Sequence, residues 1–133
     1  MLQLDARLAL AEDLLGQCET LYDIGSNHGF LAVHMLRTGR CQRAVLCDIS
    51  ADALSRARGL VARAGLADRA AFAVTDGFAG LDPQPGDAAA ILGMGGRTIA
   101  AILREGLPCP VVLQANVEIA CARRRVEQAG MHI

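Results

Sequence analysis

The segment Asp23–Gly29, which reads DIGSNHG, lies between a short apolar run and an amphipathic stretch. Its glycines predict a strand that turns directly into a helix, because glycine adopts positive φ angles and lets the backbone come close to a ligand. The free N–H groups at the start of the following helix favour anionic or electron-rich groups. The segment therefore predicts a pocket for a nucleotide-like cofactor, although a glycine turn that only links a strand to a helix is the structural alternative.

The spacing of the glycines narrows the type of cofactor. Gly25 and Gly29 are separated by three residues and Asp23 precedes them, whereas a dinucleotide-binding loop has the spacing Gly-x-Gly-x-x-Gly. This spacing disfavours a nicotinamide-dependent oxidoreductase, and the chain has no room for a substrate domain. The pattern resembles the first motif of the S-adenosylmethionine-dependent methyltransferases. That resemblance implies that Asp23 and the loop, with Ser26 and Asn27, receive the methionine part of the cofactor.

Length and composition predict one cytoplasmic domain. The chain has 133 residues, 53% of them hydrophobic, and a formal net charge of −1. The overall charge would not attract a nucleic acid, so a nucleic acid would have to bind a local basic patch. No apolar run approaches the ~18 residues of a membrane span. The five cysteines lack the spacing of a metal site and are expected to be reduced small hydrophobic residues, with no metal bound.

Strand-like and helical patterns alternate along the chain, which predicts a doubly wound parallel sheet with helices on both faces, a three-layer Rossmann-like α/β fold. The almost wholly apolar second strand implies burial on both sides. The predicted elements are a helix over about 3–15, a strand over 21–24, a helix over 29–38, a strand over 44–48, a helix capped by Ser50, strands over 70–74 and 88–92, a helix over 97–105, a strand over 111–114 and a helix over 117–129 capped by Asn116.

Polar residues or glycines follow all five predicted strands, and ligands of such sheets bind beyond the carboxyl ends of the strands. Asp48 follows the glycine loop at about the 20-residue offset typical of a ribose-binding carboxylate, or it caps the next helix. Asp76 is placed to accept a hydrogen bond from an adenine amino group while Phe78 or Ile49 covers the ring. Asp76–Gly77 is equally typical of an ordinary turn.

His28 is the candidate general base because histidine titrates near neutral pH, or it is a loop residue that binds backbone or cofactor. The arginines offer contacts to phosphates, although arginines on helix faces are commonly solvated. They include Arg37, Arg40, Arg43, Arg123, Arg124 and Arg125.

Segments 23–30, 91–96 and 113–116 together resemble the bacterial tRNA (adenine(22)-N(1))-methyltransferases. The resemblance covers nearly the whole chain, up to the start of a sixth strand at 130–133. Its most specific element is the motif GMGG at 93–96, where enzymes that methylate exocyclic amino groups generally carry Asn- or Asp-Pro-Pro-aromatic. A ring nitrogen has a free lone pair and needs no proton removed before attack, which suits a loop of glycines.

The resemblance implies that residues 1–133 form one S-adenosylmethionine-binding methyltransferase domain of class I, acting on ring nitrogen 1 of an adenine in tRNA. Residues implied to lie near the target base are His28, Met94, Gly95 and Asn116. Residues implied to bind the cofactor are Asp23, Gly25, Ser26, Asn27, Gly29, Asp48, Ile49, Asp76, Gly77 and Gly93.

Three departures from the family pattern keep alternatives open. Asn27 and Phe30 stand where the family has aspartate and tyrosine, and Ala115 stands where it has proline. The family's further strands and helical C-terminal region are also absent, so the chain is expected to be a truncated core. The alternatives are an S-adenosylmethionine-binding module without catalysis and a methyltransferase that acts on another substrate.

Overall fold

In a computed structural model of the chain, the structure describes residues 6–26 and 28–131. The elements are α1 (Ala6–Leu15), β1 (Cys18–Ile24), α2 (Phe30–Arg37), β2 (Cys41–Asp48), α3 (Ala51–Arg63), β3 (Ala70–Val74), β4 (Ala88–Met94), α4 (Gly96–Ile102), β5 (Val111–Ala115) and α5 (Ile119–Gln128), with a 3₁₀ turn at Ala67–Arg69. Helices and strands alternate along the chain except that β3 is followed directly by β4, across the turn-rich segment that the sequence indicates there.

The five strands form one parallel sheet in the order β3-β2-β1-β4-β5. Strand order reverses beside β1, which pairs with β2 on one side and with β4 on the other. Ligands of open α/β sheets bind at such a reversal, outside the carboxyl ends of the strands. The predicted Rossmann-like doubly wound sheet is therefore confirmed, and its topology marks the ends of β1, β2 and β4 as the place to look for a site.

Two apolar clusters cover the two faces of the sheet and make the predicted three layers. One joins the sheet to α2 and α3, and the other joins it to α4 and α5. Leu46 belongs to the first cluster and the adjacent Cys47 to the second. Because successive side chains of a strand point to opposite faces, these neighbours confirm that β2 is buried on both sides.

Helix α1 is fixed to α2 through a buried carboxylate. Glu12 is only 4% exposed, and it contacts Nδ1 of His34 at 2.5 Å and Nε of Arg40 at 2.9 Å. A buried charge must be paired in this way to be tolerated. Arg40 is thus a structural residue, and α1 is held where its N-terminal turn reaches the edge of the sheet.

Some helix limits differ from the prediction. Ser50 caps α3 as expected, because its Oγ accepts the Ala53 N–H at 3.2 Å. Asn116 as the cap of the last helix is wrong, since α5 begins at Ile119 and is preceded by Glu118 in a left-handed conformation with φ 56°. Predicted over 97–105, α4 ends earlier because Leu103 turns to an extended conformation and is buried.

Parts of two predicted elements lie outside the described residues: positions 3–5 of the first helix and 132–133 of the sixth strand. Within the described ranges, no helix is long and apolar enough to cross a membrane.

Candidate cofactor-binding site

A cavity of about 450 Å³ lies at the carboxyl ends of β1, β2 and β4, beside the reversal of strand order. Its volume falls within the range of small-molecule and cofactor sites. The predicted site residues that line it are Asp23, Gly25, Ser26, His28, Asp48, Ile49, Asp76, Gly77, Gly93 and Met94.

The glycine loop is held against the neighbouring strand. The N–H groups of Gly25 and Ser26 both donate to the carbonyl oxygen of Cys47, at 2.8 and 3.0 Å. Gly25 has φ 73°, and a Cβ there would lie 2.0 Å from Cε of Met94. A side chain at position 25 is therefore disfavoured by the backbone conformation, and it would also displace the Met94 methyl group that lies across the loop.

Asp23 lines the cavity although it is only 5% exposed. The pKa of its carboxyl is raised to about 7, mainly by burial, with the Ser26 hydroxyl opposing the shift and the charge of nearby Asp48 adding to it. The Ser26 Oγ is itself buried, and within residues 6–26 and 28–131 no group meets it in good hydrogen-bond geometry. A buried carboxyl and an unpaired buried hydroxyl both favour a ligand that carries positive charge and hydrogen-bonding groups.

Asp48 is the last residue of β2 and Asp76 follows β3, and both lie on the opposite side of the cavity from β4. One carboxylate oxygen of Asp48 accepts the Ser50 N–H at 3.0 Å, which fixes the side chain and leaves its second oxygen available. Ile49 is 73% exposed beside it. An exposed apolar side chain that lines the same cavity as these two carboxylates is a suitable surface for the face of a base.

The GMGG loop is built by a bulge in β4. Gly93 has φ 73° at a register shift between Leu92 and Met94, and its N–H donates to Oε1 of Gln114 at 2.8 Å. The same oxygen accepts from Arg7 at 3.2 Å, while Nε2 of Gln114 donates to Asn116 at 3.0 Å. Gln114 therefore joins the loop, helix α1 and the end of β5 into one network.

Several predicted residues do not line the cavity. Gly29 directly precedes α2 with φ 82°, and a Cβ there would lie 3.1 Å from the side chain of Ala57 and 3.2 Å from that of Leu46, so this glycine is needed for packing. Gly95, in the GMGG loop, lies next to Val117 and does not line the cavity. Phe78 as a cover for the ring is wrong, because it is 2% exposed in the apolar core.

Two further predicted residues stand apart from this set. Asn116 is exposed and bound to Gln114, and it does not line the cavity. Asn27 lies outside the described residues. The roles assigned to the candidate site residues remain predictions.

The sequence pattern missed several wall residues, of which Arg7 matters most. Among the described arginines it is the one that lines the cavity, and Thr75, Thr98 and Ile102 were also missed. No local motif marks Arg7, because only the packing of α1 brings it to the site. Cys47 also lines the wall, but burial raises the pKa of its thiol to about 12, so it is an apolar wall residue and no nucleophile.

His28 stands at the mouth of the cavity. Its ring stacks on Phe30 with centroids 5.3 Å apart and planes 24° apart, and both side chains are exposed. Within the described residues the ring has no hydrogen-bonding carboxylate that would orient it as a base. The pair is therefore a flat, solvent-facing aromatic edge beside the Met94 loop.

Fold and site together define a class, the Rossmann-like α/β domains that hold a nucleoside-bearing cofactor at the reversal of strand order. A family model described as "Methyltransferase domain" matches residues 4–133. The chain belongs to this methyltransferase-domain family.

Comparisons with individual proteins point to one group of relatives. The tRNA (adenine(22)-N(1))-methyltransferase of Bacillus subtilis is 29% identical over 105 residues, which are 79% of this chain and 44% of that protein. The crystal structure of the Bacillus subtilis tRNA methyltransferase TrmK superposes with a TM-score of 0.87 at 26% identity, over 96% of this chain and 57% of that one. The Streptococcus pneumoniae protein Sp1610, in complex with S-adenosyl-L-methionine, gives 0.87 and 26% over 96% and 63%.

These similarities confirm the family resemblance read from the sequence. The chain spans about half the length of the relatives it matches, 44% of the curated protein and 57% of the TrmK chain.

Proposed function

We propose that this chain is the cofactor-binding and catalytic core of a methyltransferase that transfers the methyl group of S-adenosylmethionine to ring nitrogen 1 of an adenine in tRNA. The observation that carries the proposal is the meeting of Asp23, Asp48 and Asp76 with the Gly93–Met94 loop around one cavity. The similarity to tRNA (adenine(22)-N(1))-methyltransferases supports the same substrate.

The side chains of the cavity fit this cofactor group by group. Asp23 and the unpaired Ser26 Oγ suit the ammonium of the methionine part, and Arg7 suits its carboxylate. The free oxygen of Asp48 suits the ribose hydroxyls, while Asp76 suits the adenine amino group. Three carboxylates against one guanidinium also favour a ligand with net positive charge.

S-adenosylmethionine supplies a methyl group on a positively charged sulfur, so that a bond from the adenine nitrogen to the methyl carbon forms as the carbon–sulfur bond breaks. The nitrogen contributes its ring lone pair, and no proton has to leave first. The task of the protein is therefore to hold the nucleophile in line with the methyl group. Such positioning can contribute on the order of 7–11 kcal/mol.

The walls near the reacting centre suit this task. Met94 and the backbone of Gly93 form one side and the His28–Phe30 pair forms the mouth. The target adenine has to leave its stack in the RNA to enter the cavity, as base-modifying enzymes generally require. The exposed aromatic edge gives an unstacked base a surface to lie against.

The experiment is methyl transfer from labelled S-adenosylmethionine to unmodified tRNA, followed by analysis of the modified nucleoside. We expect 1-methyladenosine. A methyl group on any other atom would reject the assignment of the substrate. Cofactor binding without any transfer would instead identify a non-catalytic S-adenosylmethionine-binding module, the reading that the loss of the tyrosine hydroxyl at Phe30 favours.

Binding of S-adenosylhomocysteine should depend on pH through Asp23. Its carboxyl has a pKa of about 7, and the ligand ammonium requires the ionised form, so affinity should rise about tenfold from pH 6 to pH 8 and then level off. Calorimetry across this range checks the prediction. The Asp23→Asn variant is the control, and a pH dependence that survives this substitution would assign the effect to another group.

A further inference from the structure

A second, shallower groove of about 380 Å³ lies between the mouth of the cofactor cavity and helix α3. It is lined by His28, Phe30, Ser55, Arg56, Gly59, Leu60 and Arg63. His28 and Phe30 line both the groove and the cavity. The groove is therefore a direct extension of the cavity mouth along the protein surface.

The two arginines of the groove are available to a ligand. Most arginines of the described chain are engaged by the protein itself, such as Arg69 with backbone carbonyls, Arg97 with Glu118 and Arg125 with Leu103. Arg56 and Arg63 are exposed, and within residues 6–26 and 28–131 neither forms an ion pair.

Gly59 gives the groove its floor. Glycine inside a helix is about 1 kcal/mol less favourable than alanine, and Gly59 sits within α3 without adopting a positive φ. A Cβ there would lie 3.1 Å from Nη1 of Arg63, so the missing side chain leaves room for the guanidinium beside the helix backbone. The glycine thus shapes the groove at a cost to helix propensity.

We propose that this groove binds the phosphodiester backbone of the RNA next to the target adenine. Arg56 and Arg63 contact phosphate oxygens, with the Ser55 hydroxyl as a further donor. His28 and Phe30 form a wall that the groove shares with the cavity, and along this wall the RNA strand enters the cavity. The inference rests on the proposed function and specifies which surface of the chain meets the RNA.

Charge and shape both favour a nucleic-acid backbone over other occupants. Helix α3 carries three arginines and one aspartate, in a chain whose formal net charge is −1, so the positive charge is local. Guanidinium groups bind phosphate in a bidentate manner that a flat, open groove permits. Exposed aromatic rings beside cations are typical of surfaces that bind single-stranded nucleic acid.

The test compares binding of an unmodified tRNA transcript, as a function of salt, by the unchanged chain and by the double variant Arg56→Gln/Arg63→Gln. We expect affinity to fall about tenfold and the slope of log K against log salt to become shallower by about 0.7–0.9 for each phosphate that is no longer neutralised. Affinity for S-adenosylhomocysteine should not change. Arg58→Gln is the control for the single variants Arg56→Gln and Arg63→Gln, because each of the three removes one positive charge from the same helix, and the Arg58 guanidinium stacks on Phe72.

A second variant tests shape without removing charge. Gly59→Leu fills the floor and displaces the Arg63 guanidinium, so tRNA affinity should fall while circular dichroism and cofactor affinity stay as in the unchanged chain. The proposal would be overturned if the double variant kept the tRNA affinity and salt slope of the unchanged chain, or if Arg58→Gln reduced the tRNA affinity as much as the single variants do. It would also be overturned if the unchanged chain did not bind tRNA. If the groove variants no longer bind tRNA but the unchanged chain transfers no methyl group, the proposed reaction fails and the RNA surface stands.

Discussion

Replacing Gly96 by alanine is expected to destabilise the fold by about 3 kcal/mol or more and to lower the melting temperature by roughly 10 °C. A Cβ at position 96 would lie 1.8 Å from the carbonyl oxygen of Glu118 and 2.6 Å from its carbonyl carbon. The Gly96 N–H also donates to the carbonyl oxygen of Val117 at 2.7 Å. Backbone cannot move aside as a flexible side chain can, so the two turns would separate.

Gly95→Ala is the control for this prediction. Gly95 has φ −71° and ψ 153°, which any residue adopts, and its Cβ would make an ordinary contact at 3.4 Å with Val117. We expect a change within about 0.5 kcal/mol. Thermal unfolding of both variants checks the pair, and equal melting temperatures would show that the β4–α4 and β5–α5 turns are not locked together at Gly96.

The second large effect is expected from Asp23→Asn, with opposite signs for binding and stability. Removal of the carboxylate should weaken S-adenosylhomocysteine binding about 100-fold at pH 8, as expected when a charge-assisted hydrogen bond inside a buried site is broken. The chain without ligand should become more stable. The reason is that asparagine keeps the shape of the side chain and removes a buried charge that has no ion-pair partner among the described residues.

The gain in stability should grow with pH. The carboxyl of Asp23 titrates near 3.8 when unfolded and near 7 in the folded chain, so the folded state holds its proton longer and its stability falls as pH rises between these values. The free energy of unfolding of Asp23→Asn should therefore exceed that of the unchanged chain by nearly zero at pH 4 and by at most about 4 kcal/mol at pH 8. Denaturant unfolding at several pH values measures it, and a difference that is flat with pH would place Asp23 in contact with solvent.

The architecture could be predicted from the sequence because each strand and helix is marked by a local pattern of apolar residues. Runs such as Ala88–Met94 are apolar over the whole strand, and the apolar residues Leu54, Ala57 and Val61 of α3 recur at helical spacing. Strict alternation of the two patterns leaves a parallel sheet as the simplest arrangement. The carboxylates after β1, β2 and β3 then have to meet at one edge, whatever the details of packing.

What the sequence did not predict depends on contacts between distant segments. The end of β4, the start of α5 and the left-handed Glu118 are fixed by the approach of Gly96 to residues 117 and 118. Arg7 reaches the site because Glu12 secures α1 to α2. Gly29 has the spacing of a ligand-binding glycine but serves packing against Ala57. These contacts join residues that are far apart in the sequence, so no short segment of the sequence predicts them.

Calorimetry with S-adenosylhomocysteine tests the central claim, that the cavity at the strand ends binds this cofactor, without needing the right RNA. We expect one site per chain. In Asp48→Asn the affinity should be lower by about tenfold or more, because asparagine keeps the bond to the Ser50 N–H but has no second carboxylate acceptor. Absence of binding by the unchanged chain, or equal affinity in Asp48→Asn, would contradict it.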